Sequence, residues 1–153
     1  MADRKLEVLL KSATDLKKVN KTKMHAYAVA WVDPIIRVPG PVDRINGSNP
    51  VWETPITLTL KGRSLGQSSK LNIELLGLGF VSTKPIGSVV VDLAEILQQG
   101  ASGAAVKKEY VNYPVFLPSG ASHGSISFDL RLKECRSMLA AQVAQGNEDT
   151  SNF

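Results

Sequence analysis

Cysteine is nearly absent from this sequence: Cys135 stands alone, so the chain cannot close an internal disulfide, and one thiol without a ligand cluster supports no zinc site. A reducing intracellular compartment fits that usage. Histidine is also scarce. His25 and His123 fall in turn-like segments with no nucleophile at base spacing, and there is no phosphate-cradling glycine loop, so an enzymatic function is not expected. No apolar run approaches the length that spans a bilayer, and the opening Met-Ala-Asp-Arg-Lys leads into an alternating pattern without a signal-peptide region. No lipidation signal is recognisable. Aromatic residues make up 6% and fall mostly at positions that read as core, which leaves no stacking platform for single-stranded nucleic acid.

What is present is ordinary for a globular domain: 43% hydrophobic and 21% charged residues over 153 positions, enough to close one core without staples. The charge is uneven. Residues 1–70 hold 12 Lys and Arg against 6 Asp and Glu, whereas residues 71–153 hold 6 against 8. A basic first half points to a face with affinity for phosphate, carried by lipid headgroups or by RNA. Both ligands respond to lysines with a steep salt dependence, so charge alone does not separate them.

The two-residue period of a strand recurs along the chain. Lys5 to Lys11 places Leu6, Val8 and Leu10 on one face. Ala26 to Val32 sets Tyr27, Val29 and Trp31 against three alanines, which suggests that both faces are covered or closely approached. A short edge strand fits around Ile35 to Val38, inside a Pro, Gly and Asn-rich stretch ending in Asn46-Gly47-Ser48-Asn49-Pro50. Val51 to Leu60 aligns Trp52, Ile56, Leu58 and Leu60, and Lys70 to Leu75 is the cleanest alternation of all. A loop over Gly77 to Thr83 separates it from Ile86 to Asp92. Asp92 is positioned to cap a short helix, Leu93 to Gln98, closed by Gly100. Val106 to Val115 and Gly124 to Leu132 complete eight strands. The pattern predicts an all-β, two-sheet antiparallel sandwich over residues 1–133 with one short helix, followed by a flexible tail over 134–153.

The order Leu6 to Leu10, Ala13-Thr14-Asp15-Leu16, Ala26 to Val29, Asn49-Pro50-Val51-Trp52 and Pro85-Ile86-Gly87 resembles the C2 domain, above all the small plant C2 proteins of cold and elicitor responses. The resemblance covers roughly residues 4–133. It implies an eight-stranded Greek-key sandwich whose loops at one end hold calcium and phospholipid in calcium-dependent members. Calcium is a hard ion that takes six to eight oxygens and needs several carboxylates. The resemblance puts the corresponding positions at Asn20 and His25 in the first loop and at Leu76, Leu78 and Lys84 in the third, and none of these is a carboxylate. Asp15 and Asp33 are nearby in sequence but too few. Calcium is therefore not expected as a cofactor.

The third-loop segment Leu75 to Val81 either packs on itself or presents Leu78 and Phe80 to a bilayer or a partner. Lys17, Lys18, Lys21, Lys23 and Lys84 would supply the basic anchors that accompany an interfacial apolar wedge. Members of the resembled family also carry a basic patch on one sheet for phosphoinositides. Here Arg37 and Arg44, with Lys61 and Arg63 in a later connection, are the candidates. The expected function is a calcium-independent adaptor in plant stress or defence signalling, cytoplasmic and peripherally attached to anionic phospholipid at the plasma membrane. The alternatives are a protein–protein scaffold without lipid binding, and a basic RNA-binding C2 protein.

Overall fold

The computed structural model describes residues 2–62 and 69–136. Eight strands among these residues alternate in burial as the sequence pattern requires: β1 (Arg4–Thr14), β2 (His25–Trp31), β3 (Val38–Pro39), β4 (Val51–Leu60), β5 (Lys70–Leu78), β6 (Lys84–Asp92), β7 (Val106–Phe116) and β8 (Ser122–Leu132). One helix, α1 (Ala94–Gln99), lies between β6 and β7. The hydrogen-bonded order is β3-β2-β5-β6-β7-β8-β1-β4. Because β6 and β7 share a single residue pair, Ser88 with Phe116, the order divides into two four-stranded sheets that face each other across the core. This is the eight-stranded antiparallel sandwich with one short helix that the sequence predicts.

Leu6, Val8 and Leu10 of β1 meet Phe128, Leu130 and Leu132 of β8 in register, and all six are fully buried. From the other sheet come Leu71, Ile73 and Leu75 of β5 and Ile86, Val89 and Val91 of β6. The alternation in β2 resolves in an unexpected sense: Ala26, Ala28 and Ala30 face the core, while Tyr27, Val29 and Trp31 point outward and are partly buried. Small inward residues let the sheets approach closely at β2, and the indole of Trp52 fills the space, its Nε1 donating to the Ala26 carbonyl at 3.1 Å. Outward placement of Tyr27 and Trp31, with Phe80 and Phe116 exposed, makes the aromatics less uniformly internal than the sequence suggests.

Several boundaries shift. The edge strand expected at 35–38 is the two-residue β3, displaced because the chain turns tightly at Asp33-Pro34 before it can pair with β2. Asp92 Oδ1 accepts from the Ala94 N–H at 2.8 Å, so the aspartate bonds the first helical N–H although the helix starts one residue later than expected. Strand β5 runs on through Leu78, which shortens the following loop to 79–83. Of the expected tail, residues 137–153 lie outside the described residues, as does Arg63.

Strand direction assigns the connections to two poles. The β1–β2, β3–β4, β5–β6 and β7–β8 loops share one pole, and the β2–β3 turn and α1 share the other, where β4 ends and β5 begins. The first of these poles holds the candidate site.

Candidate functional site

The β1–β2 loop is pinned from beneath. Leu16, Asn20 and Met24 are buried and Val19 packs against the core, so the intervening Lys17, Lys18, Lys21 and Lys23 are all directed to solvent. The β3–β4 loop and the end of β5 brace it. The Ala13 N–H donates to the Pro50 carbonyl and the Leu16 N–H to the Ser48 carbonyl, each at 3.0 Å, and the Asp15 N–H donates to Asn49 Oδ1 at 2.8 Å. On its other side Asn20 Nδ2 reaches the Gly77 carbonyl at 3.4 Å. Gly77 is required there, because a Cβ would collide with the Asn20 side chain.

The β5–β6 loop is short and its tip is bare. Phe80 and Val81 are essentially fully exposed, at 105% and 93%. Leu76 and Leu78, expected in this loop, instead occupy outward positions of β5 opposite Tyr27 and His25, where cross-strand packing covers most of each. Leu75 belongs to the core. The apolar tip is therefore Phe80-Val81, with exposed Lys84 at the first position of β6 behind it.

The β3–β4 loop adds a residue that sequence reasoning passed over. Asp43 is 8% exposed, and its carboxylate accepts from the N–H groups of Ile45 (2.7 Å), Asn46 (3.0 Å) and Val51 (2.7 Å) and from Asn46 Nδ2 (2.8 Å). Burial alone would raise this carboxyl, but the four hydrogen bonds outweigh it and hold Asp43 well below the usual carboxylate range. The loop so organised projects Ile45, 76% exposed, next to exposed Arg44. The only hint in the sequence is a large β-branched residue inside a turn, with no apolar partner at strand spacing.

The structure brings together Lys17, Lys18, Lys21, Lys23, Arg44, Phe80 and Lys84 at one pole. Arg37 does not join them. It sits in the β2–β3 turn at the opposite pole, its guanidinium 4.0 Å over the Trp31 ring and its Nε donating to the Pro34 carbonyl at 3.0 Å. Lys61 is also at that far pole and pairs with Asp3 at 3.6 Å. The outward side of β2 and β3 carries no basic side chain other than His25, so a phosphoinositide patch built from Arg37 and Arg44 does not form there.

The donors at this pole do not fit a calcium ion. Its four loops contain two carboxylates, Asp15 and Asp43, against Lys17, Lys18, Lys21, Lys23 and Arg44. Asp43 already accepts four hydrogen bonds, and Asn20 Oδ1 is sealed from solvent. His25 lies within β2, Leu76 and Leu78 offer no oxygen, Lys84 brings a cation, and Asp33 is at the wrong pole. Among the described residues, no cluster of three or more His, Cys, Asp or Glu side chains could hold a metal.

This two-sheet architecture with loops gathered at one pole defines the C2 class, and the C2 domain model matches residues 4–108. The chain belongs to the C2 domain family. It is 29% identical over 140 residues to the protein SRC2 homolog of Arabidopsis thaliana, a match that takes in 88% of this chain but 42% of that protein. The chain thus spans about two-fifths of the length of that curated relative. Among solved structures, a C2 domain-containing protein from a gene described as elicitor-responsive superposes with a TM-score of 0.64 at 19% identity, covering 87% of this chain and 90% of the other. The C2A domain of a plant extended synaptotagmin 1 gives 0.66 at 15% identity, covering 86% and 95%. The sequence resemblance to small plant C2 proteins is thus met in the relatives found. No helix of the described residues is long and apolar enough to cross a membrane.

Proposed function

We propose that this chain is a non-enzymatic, calcium-independent C2 module that docks peripherally on anionic phospholipid and acts as an adaptor. The observation that carries this reading is the composition of one pole. Exposed Phe80, Val81 and Ile45 stand among Lys17, Lys18, Lys21, Lys23, Arg44 and Lys84, and the two carboxylates nearby are outnumbered. Apolar tips ringed by cations suit the boundary between headgroups and acyl chains, where each lysine near an anionic leaflet contributes about 1 kcal/mol. The cytoplasmic face of the plasma membrane has the required negative charge. A role in plant stress or defence signalling draws on the relative from an elicitor-responsive gene.

The lysines give the test. Lys17→Gln with Lys18→Gln removes two exposed cations, none of them in an ion pair found among the described residues. At about 1 kcal/mol each, the double variant should bind phosphatidylserine vesicles about thirtyfold more weakly, with a shallower salt dependence. Flotation over a salt series measures both. Unchanged vesicle binding, or tighter retention on RNA in a gel shift than on vesicles, would contradict the membrane reading.

A further inference from the structure

One sheet is bounded by β3 and β6 and the other by β7 and β4, and most of these edges are blunted. Strand β3 is two residues long, and β6 opens on Lys84-Pro85 and closes on Asp92. Strand β7 runs through Lys107, Lys108 and Glu109 into a bulge where Asn112 has a φ of 52°. Short length, charge, proline and bulges are the devices that stop an edge from recruiting another strand. Strand β4 has few of them. From Thr54 to Leu60 it carries no charge, pairs regularly with β1 on one side, and among the described residues makes no backbone hydrogen bond on the other.

Its one proline shows which groups are free. A proline is tolerated in a paired strand with its nitrogen turned to the open side, and Pro55 lies opposite Leu9 of β1. Thr57 and Thr59 share its parity, so they too direct N–H and C=O away from β1. Their side chains are exposed, while Ile56, Leu58 and Leu60 sink into the core. Donors and acceptors at strand spacing are matched together by another extended strand.

The edge fits a copy of itself. In an antiparallel pair centred on Thr57, each Thr57 N–H meets the other copy's Thr57 carbonyl, and each Thr59 N–H meets the other copy's Pro55 carbonyl. The exposed row then sets Thr57 against Thr57 and Pro55 against Thr59, with no like charges opposed. The same register brings Glu53 of each copy beside Lys61 of the other. Glu53 is exposed and makes no ion pair within the described residues, and Lys61 is half-exposed beside Asp3 at 3.6 Å, so opposite charges close both ends. We propose that a second copy of this chain pairs edge to edge through β4, in an isologous contact that joins the two β7-β8-β1-β4 sheets into one. Because β4 begins at the basic pole, antiparallel pairing points the two basic poles in opposite directions.

A short ladder and exposed ion pairs hold weakly, so the expected Kd is on the order of 100 µM. Sedimentation equilibrium of the full chain from about 10 to about 500 µM should carry wild type from monomer toward dimer. Thr57→Lys, at an exposed position, opposes two ammonium groups across the axis and should stay monomeric with an unchanged circular dichroism spectrum. Glu53→Lys and Lys61→Glu should each weaken the dimer several-fold, and the two combined, which restore opposite charges between copies, should recover it. Hydrogen exchange at the Thr57 and Thr59 amides should slow as concentration rises. A wild type that is monomeric throughout, a Thr57→Lys variant that dimerises like wild type, a charge exchange that fails to recover the dimer, or a dimer whose Thr57 amide exchanges as in the monomer would each overturn the proposal.

Discussion

Phe80→Asp combined with Val81→Asp is expected to weaken binding to phosphatidylserine vesicles by about two orders of magnitude or more while leaving the melting temperature within a degree or two. Both side chains project from the β5–β6 loop into solvent and bury nothing in the folded chain, so the fold has little to lose. Moving a large apolar side chain from water into the acyl boundary yields about 1.5–3 kcal/mol when complete, and each aspartate adds repulsion from an anionic surface. The direction of loss also separates membrane from protein recognition. If the double variant keeps its vesicle affinity, the tip faces a protein partner, and the scaffold function gains the ground that the lipid reading loses. Flotation in parallel with thermal melts is sufficient.

Asp43→Ala is expected to cost about 3 kcal/mol of folding stability, which for a domain of this size lowers the melting temperature by roughly 6–12 °C. The carboxylate accepts four hydrogen bonds at a site almost closed to solvent, and its removal leaves the N–H groups of Ile45, Asn46 and Val51 to find other partners. The β3–β4 loop should loosen, and Ile45 and Arg44 with it. Acid should act through the same group. Because the folded-state pKa of Asp43 is depressed, its contribution is complete above the unfolded value of about 3.9 and is lost as the pH falls below it toward the folded value. Urea denaturation at pH 7 and at pH 3 should therefore show a smaller acid penalty in Asp43→Ala than in wild type. Equal penalties would mean that the hydrogen bonds do not couple to the charge.

The strands were legible because their faces differ. Leu6, Val8 and Leu10 alternate with charged or partly exposed neighbours, and burial follows that alternation in the structure. In β2 the same rule found the strand but not its sense. Alanine is small enough to sit under a facing indole, while on the outer surface Tyr27 lies opposite Leu76 and Trp31 lies beneath the Arg37 guanidinium, so hydrophobicity alone does not decide which row faces in. Loop ends were harder. Leu76 and Leu78 continue the alternation of β5 past the point where Gly77 suggests a turn, and that glycine is there to make room for Asn20.

The candidate pole was legible as a set of lysines but not as a surface. Grouping Arg37 with Arg44 treated nearness in sequence as nearness in space, and one passage through β3 sends them to opposite poles. Ile45 escaped notice because its exposure depends on the Asp43 hydrogen bonds, a tertiary arrangement with no periodic trace in the chain.

The central claim is electrostatic: this pole attracts anionic lipid through its own cations and has no need of a bound metal. Its most direct test is the affinity for phosphatidylserine vesicles measured by flotation in EGTA and again in 1 mM (about a thousandfold above cytosolic-sensor levels) free calcium. The account predicts equal binding in both, falling as salt is raised. Binding that appears only with calcium, accompanied by heat of calcium binding at micromolar concentrations in a calorimeter, would contradict it.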